Sequence, residues 1–522
     1  MPGGMMAPTG GWTKPYNGRT TGYVVLTSIM AASGGLMFGY DVGISGGVTS
    51  MHSFLSKFFP KVLAKQGTGN NYCKYNNQEL QLFTSCLYIA GLIATFVAGY
   101  TSRRFGRLLT MRVAATCFVI GTVLCASAPA LYVVIIGRVI LGIGVGFANQ
   151  AVPLYLSEMA PTNLRGGLNI LFQLAVTVGI FAANLVNYGT NKISGWGWRL
   201  ALGGAGVPAC LLAIGAIVLL DTPNSLIERG QYEKGKRVLQ KVRGVDDVEN
   251  EYEDIVAASE MAKTVTHPYK NILKRRARPQ LVIAMLMQLF QQFTGINAIM
   301  FYSPVLFQTL GFGNDAALYS AVITGIVNVA STIVAVLIVD KVGRRKLLLE
   351  SGFQMFVAML CISIILGIQL PPNGKLPTPS AITVVVLICV FVSGFAWSWG
   401  PLGWLIPSET FPLETRSAGL SITVSTNLFF TFLIAQAFLS MLCTMEYGIF
   451  IFFLGWIVIM TIFTIFFIPE TKGIPIEEMQ HMWGGHWYWK KYIPEEEIID
   501  QEMKVRNSMD SKRQVKAGSD AV

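Results

Sequence analysis

The sequence predicts an all-α polytopic membrane protein with twelve transmembrane helices. Of its 522 residues, 52% are hydrophobic and only 13% are charged, about half of the ~25% charged residues usual in soluble domains. Apolar runs of roughly 20 residues recur along the chain, and each is long enough to cross a ~30 Å hydrocarbon layer as a helix. This composition excludes most soluble enzymes.

Windows of continuous apolarity place six spans on each side of a charged stretch that shows short amphipathic patterns. The predicted spans are 22–48, 80–101, 108–128, 131–156, 166–190, 200–220, 279–310, 317–339, 346–369, 381–407, 416–441 and 446–468. The predicted segments are an N-terminus at 1–21, a six-helix bundle at 22–220 with a lid loop at 49–78, a helical linker at 221–278, a second six-helix bundle at 279–468 and a tail at 469–522.

Basic residues predict the orientation of the chain in the membrane. They cluster between spans two and three and between spans eight and nine, at Arg103, Arg104, Arg107, Lys341, Arg344, Arg345 and Lys346. Because cytosolic loops are enriched in Lys and Arg, we expect both termini and the linker in the cytosol, and the lid loop outside despite its four Lys. The net charge of +11 therefore reports orientation rather than nucleic-acid binding.

An internal repeat relates the two sets of six spans. Ser157-Glu158-x-x-Pro161-x-x-x-Arg165 recurs as Ser408-Glu409-x-x-Pro412-x-x-x-Arg416, 251 residues later. Arg104-Phe105-Gly106-Arg107 after span two likewise matches Lys341-Val342-Gly343-Arg344-Arg345 after span eight. Two parallel repeats predict bundles related by an axis along the membrane normal, with a substrate site between them near the midplane.

The same motifs resemble those of the sugar porters of the major facilitator superfamily, over about residues 23–473. Gln291-Gln292-x-x-Gly295-x-Asn297 and Pro469-Glu470-Thr471-Lys472-Gly473 belong to that pattern. The run from Phe38 to Thr49 is similar to that of the plant monosaccharide/proton symporters called sugar transport proteins. One departure is Thr222-Pro223-Asn224-Ser225, where many sugar porters carry Pro-Glu-Ser-Pro-Arg.

Asp41 is the one acid well inside span one, and an unpaired carboxylate in hydrocarbon is costly. Arg138 of span four lies at the same predicted depth, about seven residues or ~10 Å from the outer end. A carboxyl balanced between burial and an opposite charge can take up a proton. Our hypothesis is that protonation of Asp41 breaks this pair and couples inward movement to a proton, as the resemblance implies; a static buried ion pair is the alternative.

Uncharged amides are the main long polar side chains within the spans. An amide both donates and accepts hydrogen bonds, which suits sugar hydroxyls and a neutral polyhydroxyl substrate. Trp404, with Phe38 as a second candidate, is expected to cover a pyranose ring. Hydrogen bonds between helices are the alternative for any single amide. The resemblance places among the sugar contacts Gln173, Gln291, Gln292, Asn297, Asn328, Trp404 and Asn427.

Charges at the predicted cytosolic ends suggest a gate. We expect ion pairs between the two bundles that hold the transporter open to the outside, against the alternative of simple topological anchoring. The residues are Glu158, Arg165, Glu409, Arg416, Arg104, Arg107, Arg344 and Arg345. In span ten, Gly400-Pro401 and Pro407 predict a bend or break, and span seven carries Gly295 and Pro304, so these are the expected gating helices.

Two of the eight cysteines, Cys73 and Cys443, fall outside the spans. Both are extracellular in the predicted topology, where a disulfide can form, and similar cysteines occur in the plant symporters. The spacing of Cys and His predicts no metal site, and we expect no cofactor, with the proton as coupling ion.

The sequence thus favours a proton-coupled importer of a hexose such as glucose, and not an enzyme. We expect it in the plasma membrane, working as a monomer on a monosaccharide and a proton. A facilitative hexose uniporter is the nearest alternative, and Asp41 is the residue that distinguishes a symporter from it. A sugar sensor is a more distant alternative.

Overall fold

The computed structural model describes residues 21–65, 71–160, 165–264, 268–309, 311–370, 376–411, 415–472 and 479–493. All regular secondary structure in these ranges is helical. Within these ranges, twelve segments are long and apolar enough to cross a membrane, so the predicted number of spans is confirmed. The molecule is a multi-pass membrane protein.

The spans, numbered one to twelve along the chain, begin and end within a few residues of the prediction in most cases. They are Gly22–Ser50, Gln78–Phe105, Arg107–Ser127, Leu131–Met159, Arg165–Thr190, Gly197–Val218, Arg275–Thr309, Asn314–Val342, Arg344–Gln369, Thr378–Thr410, Arg416–Met445 and Gly448–Phe467. Three spans are broken: span six into Gly197–Gly203 and Gly206–Val218, span seven into Arg278–Phe293 and Ile296–Thr309, and span ten into Thr378–Trp397 and Trp399–Thr410.

Shorter helices lie between and after the spans. The loop after span one forms His52–Phe58, Pro60–Lys65 and Asn71–Cys73. The linker between spans six and seven forms Pro223–Glu228, Tyr232–Arg243, Glu249–Thr264 and Pro268–Asn271. The tail after span twelve forms Met479–Gly485 and Trp489–Tyr492.

Helix packing divides the spans into an N-terminal half, spans one to six, and a C-terminal half, spans seven to twelve. Span one packs on spans four, five and six, whereas span nine packs on spans ten and twelve. The most extensive contacts between the halves join span one with span seven, span two with span eleven, and span five with span eight. Span one therefore contacts both halves.

Glycines allow the backbone of span one to touch its neighbours. A Cβ at Gly39 would stand 1.9 Å from Val176 O of span five, and one at Gly46 would stand 2.1 Å from Phe301 O of span seven. Without a hydrophobic driving force between helices in lipid, small residues of this kind let helices approach closely.

Replacing Gly39 with Ala is expected to abolish most of the folded protein. The added methyl group would overlap a backbone oxygen that no side-chain rotation can move, and overpacking of this kind costs typically 1–3 kcal/mol or more. Size-exclusion profile and melting temperature in detergent measure the loss. Gly455→Ala of span twelve is the matched control, because nothing lies within 4 Å of the added Cβ. Equal profiles for both variants would contradict the close packing.

We call the end of the molecule that carries Arg107 and Arg344 the basic end, and the opposite end, at Cys73 and Cys443, the disulfide end. At the basic end, the linker is fastened to the N-terminal half. Thr21 Oγ1, at the start of span one, donates to Val242 O at 3.0 Å. The buried Arg243 donates to Met159 O and Ala160 O at 3.1 Å each, capping the end of span four.

Candidate proton and sugar site

The predicted pairing of Asp41 with Arg138 is present in the structure. Arg138 Nη1 lies 3.3 Å from Asp41 Oδ1, and their side chains are 0% and 2% exposed. The second carboxylate oxygen, Asp41 Oδ2, is buried and has no hydrogen-bond partner among the described residues. That atom is where a proton can add without breaking an existing bond.

Arg138 is held by groups other than Asp41. Its Nε donates to Phe83 O at 3.1 Å, its Nη2 donates to Ser45 Oγ, and its guanidinium lies 4.7 Å from the centre of the Phe83 ring. The 3.3 Å contact with Asp41 is long for a charge-assisted hydrogen bond, which is usually about 2.7–2.9 Å. If the carboxylate became neutral, the arginine would keep its remaining contacts.

Three amides form a network between spans seven, ten and eleven. Gln291 Nε2 donates to Trp399 O at 2.9 Å, and Asn427 Nδ2 donates to the Oε1 atoms of Gln291 and Gln288 at 2.8 and 2.7 Å. Gln288 Nε2 in turn donates to Gly403 O at 2.5 Å. The predicted residues Gln291 and Asn427 are thus brought together, and both bond to other helices.

Gln292 and Asn297 form a separate pair across the break in span seven. Asn297 Nδ2 donates to Gln292 Oε1. Within the described residues this is the one hydrogen bond that the two side chains make, and neither has a fully buried polar atom without a partner. Gln292 Nε2 and Asn297 Oδ1 are therefore left available for a ligand.

The other predicted contact residues lie around this region. The Gln173 amide approaches span ten, where a Cβ at Gly400 would stand 3.7 Å from its Nε2. Asn328 of span eight lies 3.9 Å from the sulfur of Met300. Trp404, on the second helix of span ten, and Phe38, on span one, are half-buried.

The backbone beside the amide network is broken in spans seven and ten. Span ten breaks at Ser398, whose φ and ψ are −133° and −85°, three residues before Pro401, which carries no backbone donor. Span seven breaks at Gly295, where φ is +87°, a value that favours glycine. A Cβ at Gly403 would stand 2.7 Å from Gln291 Nε2, so glycine makes room for the amide network.

Gln288 is a polar residue that the sequence analysis missed. It lies three and four residues before Gln291 and Gln292, a spacing that places amides on one face of a helix. The signal for it lies in span ten, where Pro407 has no backbone N–H to donate to Gly403 O, the carbonyl four residues earlier. Matching this carbonyl to a nearby donor points to Gln288, whose Nε2 donates to it.

Charges at the basic end of the N-terminal half form a closed cluster. Arg107 Nη2 lies 2.8 Å from Glu158 Oε1, and Arg107 Nη1 lies 2.6 Å from Glu228 Oε2. Thr222 Oγ1 donates to Glu158 Oε2, and Asp221 Oδ1 accepts from the backbone N–H of Leu108 at 3.3 Å. Thr222, which departs from the usual sugar-porter motif, therefore still provides a hydrogen-bond donor for Glu158.

The C-terminal half repeats this arrangement. Arg344 Nη2 lies 2.9 Å from Glu409 Oε1, and Thr471 Oγ1 donates to Glu409 Oε2 at 3.1 Å. Glu470 accepts from the backbone N–H groups of Arg344 and Arg345 at 2.9 and 3.1 Å. The acid–threonine pairs Asp221-Thr222 and Glu470-Thr471, which occupy equivalent places after spans six and twelve, were not recognised as part of the repeat.

The gating prediction is wrong about where these partners lie. The pairs Arg107–Glu158 and Arg344–Glu409 join groups within one half, not across the two bundles. The reason is that each arginine follows a turn at Gly106 or Gly343, with φ of +98° and +105°, which directs it back toward its own half.

The remaining predicted gate residues make local contacts. Arg104 donates to Tyr100 Oη, Arg345 Nη2 donates to Ile465 O at 2.7 Å, and Arg416 Nη2 donates to Ser408 O at 2.9 Å. Arg165 begins the helix of span five, and its side chain lies outside the described residues. A gating role for this set stays a prediction.

At the disulfide end, Cys73 and Cys443 form the predicted disulfide and join the two halves covalently. Hydrogen bonds surround this link: Tyr75 Oη donates to Gln308 Oε1, and Gln78 Nε2 donates to Ser440 Oγ at 3.0 Å. The short helices after span one are therefore attached to the C-terminal half as well as to span one.

The fold matches that of solved transporters. A structure described as the major facilitator superfamily proton:xylose symporter XylE bound to 6-bromo-6-deoxy-D-glucose aligns with a TM-score of 0.75 and 27% identity, covering 89% of this chain and 100% of that one. A partially occluded inward-open xylose transporter XylE from E. coli aligns with a TM-score of 0.72 and 25% identity, covering 87% and 100%. The protein is a membrane transporter with the major facilitator fold, and not an enzyme.

Sequence comparison specifies the family. Residues 27–483 match the family model described as Sugar (and other) transporter. The chain is 64% identical over 482 residues to sugar transport protein MST4 of Oryza sativa subsp. japonica, covering 92% of this chain and 94% of that protein. It is 62% identical over 496 residues to sugar transport protein 13 of Arabidopsis thaliana, covering 93% and 94%. This chain belongs to the Sugar (and other) transporter family.

Proposed function

We propose that the protein is a proton-coupled monosaccharide symporter that imports a hexose such as glucose across the plasma membrane. The observation that carries the proposal is the buried pair of Asp41 and Arg138, whose carboxylate keeps one oxygen without a partner among the described residues. The names of the similar plant proteins and the proton:xylose symporter support the sugar and the proton as the transported species.

Protonation at Asp41 Oδ2 would cancel the attraction to Arg138. The arginine is retained by Phe83 O of span two, whereas Ser45 Oγ lies on span one with Asp41, so the neutral carboxyl and Ser45 are the groups that can leave with span one. Span one also touches the backbone of span seven through Gly46. Its movement would thus reach the half that carries Gln292 and Asn297, which couples the proton to the sugar site.

The sugar site in this proposal lies between the halves and is built mainly from spans seven, eight, ten and eleven. Gln292 and Asn297 offer an amide donor and an amide acceptor, the pair of functions that adjacent sugar hydroxyls require. Gln173 approaches from the N-terminal half. A site without charged groups is suited to a neutral sugar, and no cofactor is needed beyond the coupling proton.

The basic end faces the cytosol in this proposal, in accordance with the positive-inside rule. Span one begins there and span twelve ends there, so both termini would be cytosolic. The disulfide end would then lie in the oxidising space outside the cell, where a disulfide is stable. We propose that one chain suffices for transport, because both halves of the site belong to it.

Current and uptake recorded together in voltage-clamped cells test the proposal. We expect glucose at mildly acidic outside pH to evoke an inward current that shrinks toward neutral pH, because fewer carboxyls are then protonated from outside. Uptake of labelled glucose without current would identify a facilitative uniporter instead. Absence of both signals with a panel of hexoses, for protein shown to reach the cell surface, would overturn sugar transport and favour a sensor.

A further inference from the structure

Two basic segments meet at the basic end beside spans seven and twelve. Lys274, Arg275 and Arg278 lie at the start of span seven, and Lys490 and Lys491 lie in the short tail helix. Arg275 Nη2 donates to Lys491 O at 2.6 Å and fixes one segment against the other. All five side chains are exposed. We call these five residues the juxtamembrane basic surface.

Two tryptophans fasten this surface to the end of span twelve. Trp487 Nε1 donates to Phe466 O at 2.9 Å, and Trp489 Nε1 donates to Phe467 O at 2.8 Å, at the last two residues of span twelve. Trp489 is 3% exposed, whereas Trp487 is 66% exposed. Because indole rings favour the boundary between hydrocarbon and water, the exposed Trp487 favours a position of this surface at the level of the lipid headgroups.

Aromatic rings also hold Lys491 near this boundary. Lys491 Nζ lies 3.8 Å from the centre of the Tyr488 ring and 5.2 Å from that of Tyr492. Leu273, which precedes the first basic segment, is 63% exposed. An apolar side chain and basic groups side by side match a lipid, which presents acyl chains below and a charged headgroup above.

Carboxylates do not neutralise the surface within the described residues. The ion pairs found there involve other groups, and none includes any of the five basic side chains. Basic residues next to an anionic leaflet contribute about 1 kcal/mol each. We propose that the juxtamembrane basic surface binds the headgroups of anionic phospholipids of the surrounding membrane.

Lipid retention by the purified full-length protein tests this proposal. The protein is reconstituted in mixed phosphatidylserine and phosphatidylcholine, and native mass spectrometry measures which lipid stays bound. We expect phosphatidylserine to be enriched, and Lys490→Gln with Lys491→Gln to lower this enrichment at least fivefold. Lys234→Gln with Arg237→Gln is the matched control, because it removes two exposed charges from the linker and should leave the enrichment unchanged.

Three outcomes would overturn the proposal. Equal retention of both lipids by the unaltered chain would remove the surface as a lipid site. Displacement of phosphatidylserine by millimolar inorganic phosphate would identify a free anion as the ligand. Enrichment that appears only after Glu495, Glu496 and Glu497 are replaced by Gln would show that this acidic segment occupies the surface. None of these readouts involves sugar, so the result is independent of the proposed transport function.

Discussion

Replacing Asp41 with Asn is expected to abolish accumulation of sugar against a gradient while leaving exchange of sugar across the membrane. For one proton per sugar, a pH difference of one unit is worth about 1.4 kcal/mol, or a tenfold sugar gradient. The variant carries a permanently neutral side chain of nearly the same shape, so the accumulation ratio should fall to about one. Labelled uptake into proteoliposomes with an imposed pH gradient measures this ratio, and counterflow measures the exchange.

Glu158→Gln provides the matched control for this prediction. Glu158 is another buried acid paired with an arginine. Its carboxylate lies 2.8 Å from the guanidinium of Arg107, whereas that of Asp41 lies 3.3 Å from Arg138. Unlike Asp41, Glu158 lies at the basic end. We expect this variant to transport more slowly and to keep its response to the pH gradient. An Asp41→Asn protein that still accumulates sugar would show that the pair with Arg138 is structural.

Replacing Gln292 with Ala is expected to raise the half-saturating sugar concentration about tenfold or more. A lost hydrogen bond that leaves a buried partner unsatisfied costs about 1–3 kcal/mol, and each 1.4 kcal/mol is a factor of ten in affinity. Gln292 is the sharper test than Gln291, because Gln291 Nε2 and Oε1 already bond to Trp399 and Asn427. Initial rates of uptake over a range of sugar concentrations measure the effect.

The control for this variant is Gln354→Ala in span nine. Gln354 Nε2 bonds to Val390 O at 2.7 Å within the C-terminal half, outside the amide pairs of spans seven, ten and eleven. Its removal should leave the half-saturating concentration unchanged. If both variants behave alike, Gln292 acts in helix packing and not in the sugar site.

Periodicity and depth could be predicted because they are local properties of the chain. Counting residues from the ends of spans one and four placed Asp41 opposite Arg138, and the structure contains that pair. Run length alone gave the twelve spans, since the hydrocarbon thickness sets the length of a helix that crosses it.

Partners within a charged region could not be predicted in the same way. Charge counting indicates which end of the bundle a residue occupies, but not the direction in which its side chain leaves a turn. Arg107 and Arg344 point into their own halves because Gly106 and Gly343 adopt positive φ. The partner of Gln288 was equally hidden. It is Asn427 of span eleven, which lies 139 residues further along the chain.

The disulfide between Cys73 and Cys443 has a consequence for biogenesis. The two cysteines are 370 residues apart, and the second lies in the last turn of span eleven, so it emerges only after spans two to ten have been synthesised. Until then Cys73 remains a free thiol on a short loop near the start of the chain. Covalent closure is therefore among the last steps of assembly, and a chain that has acquired it has already brought its two halves together in the membrane.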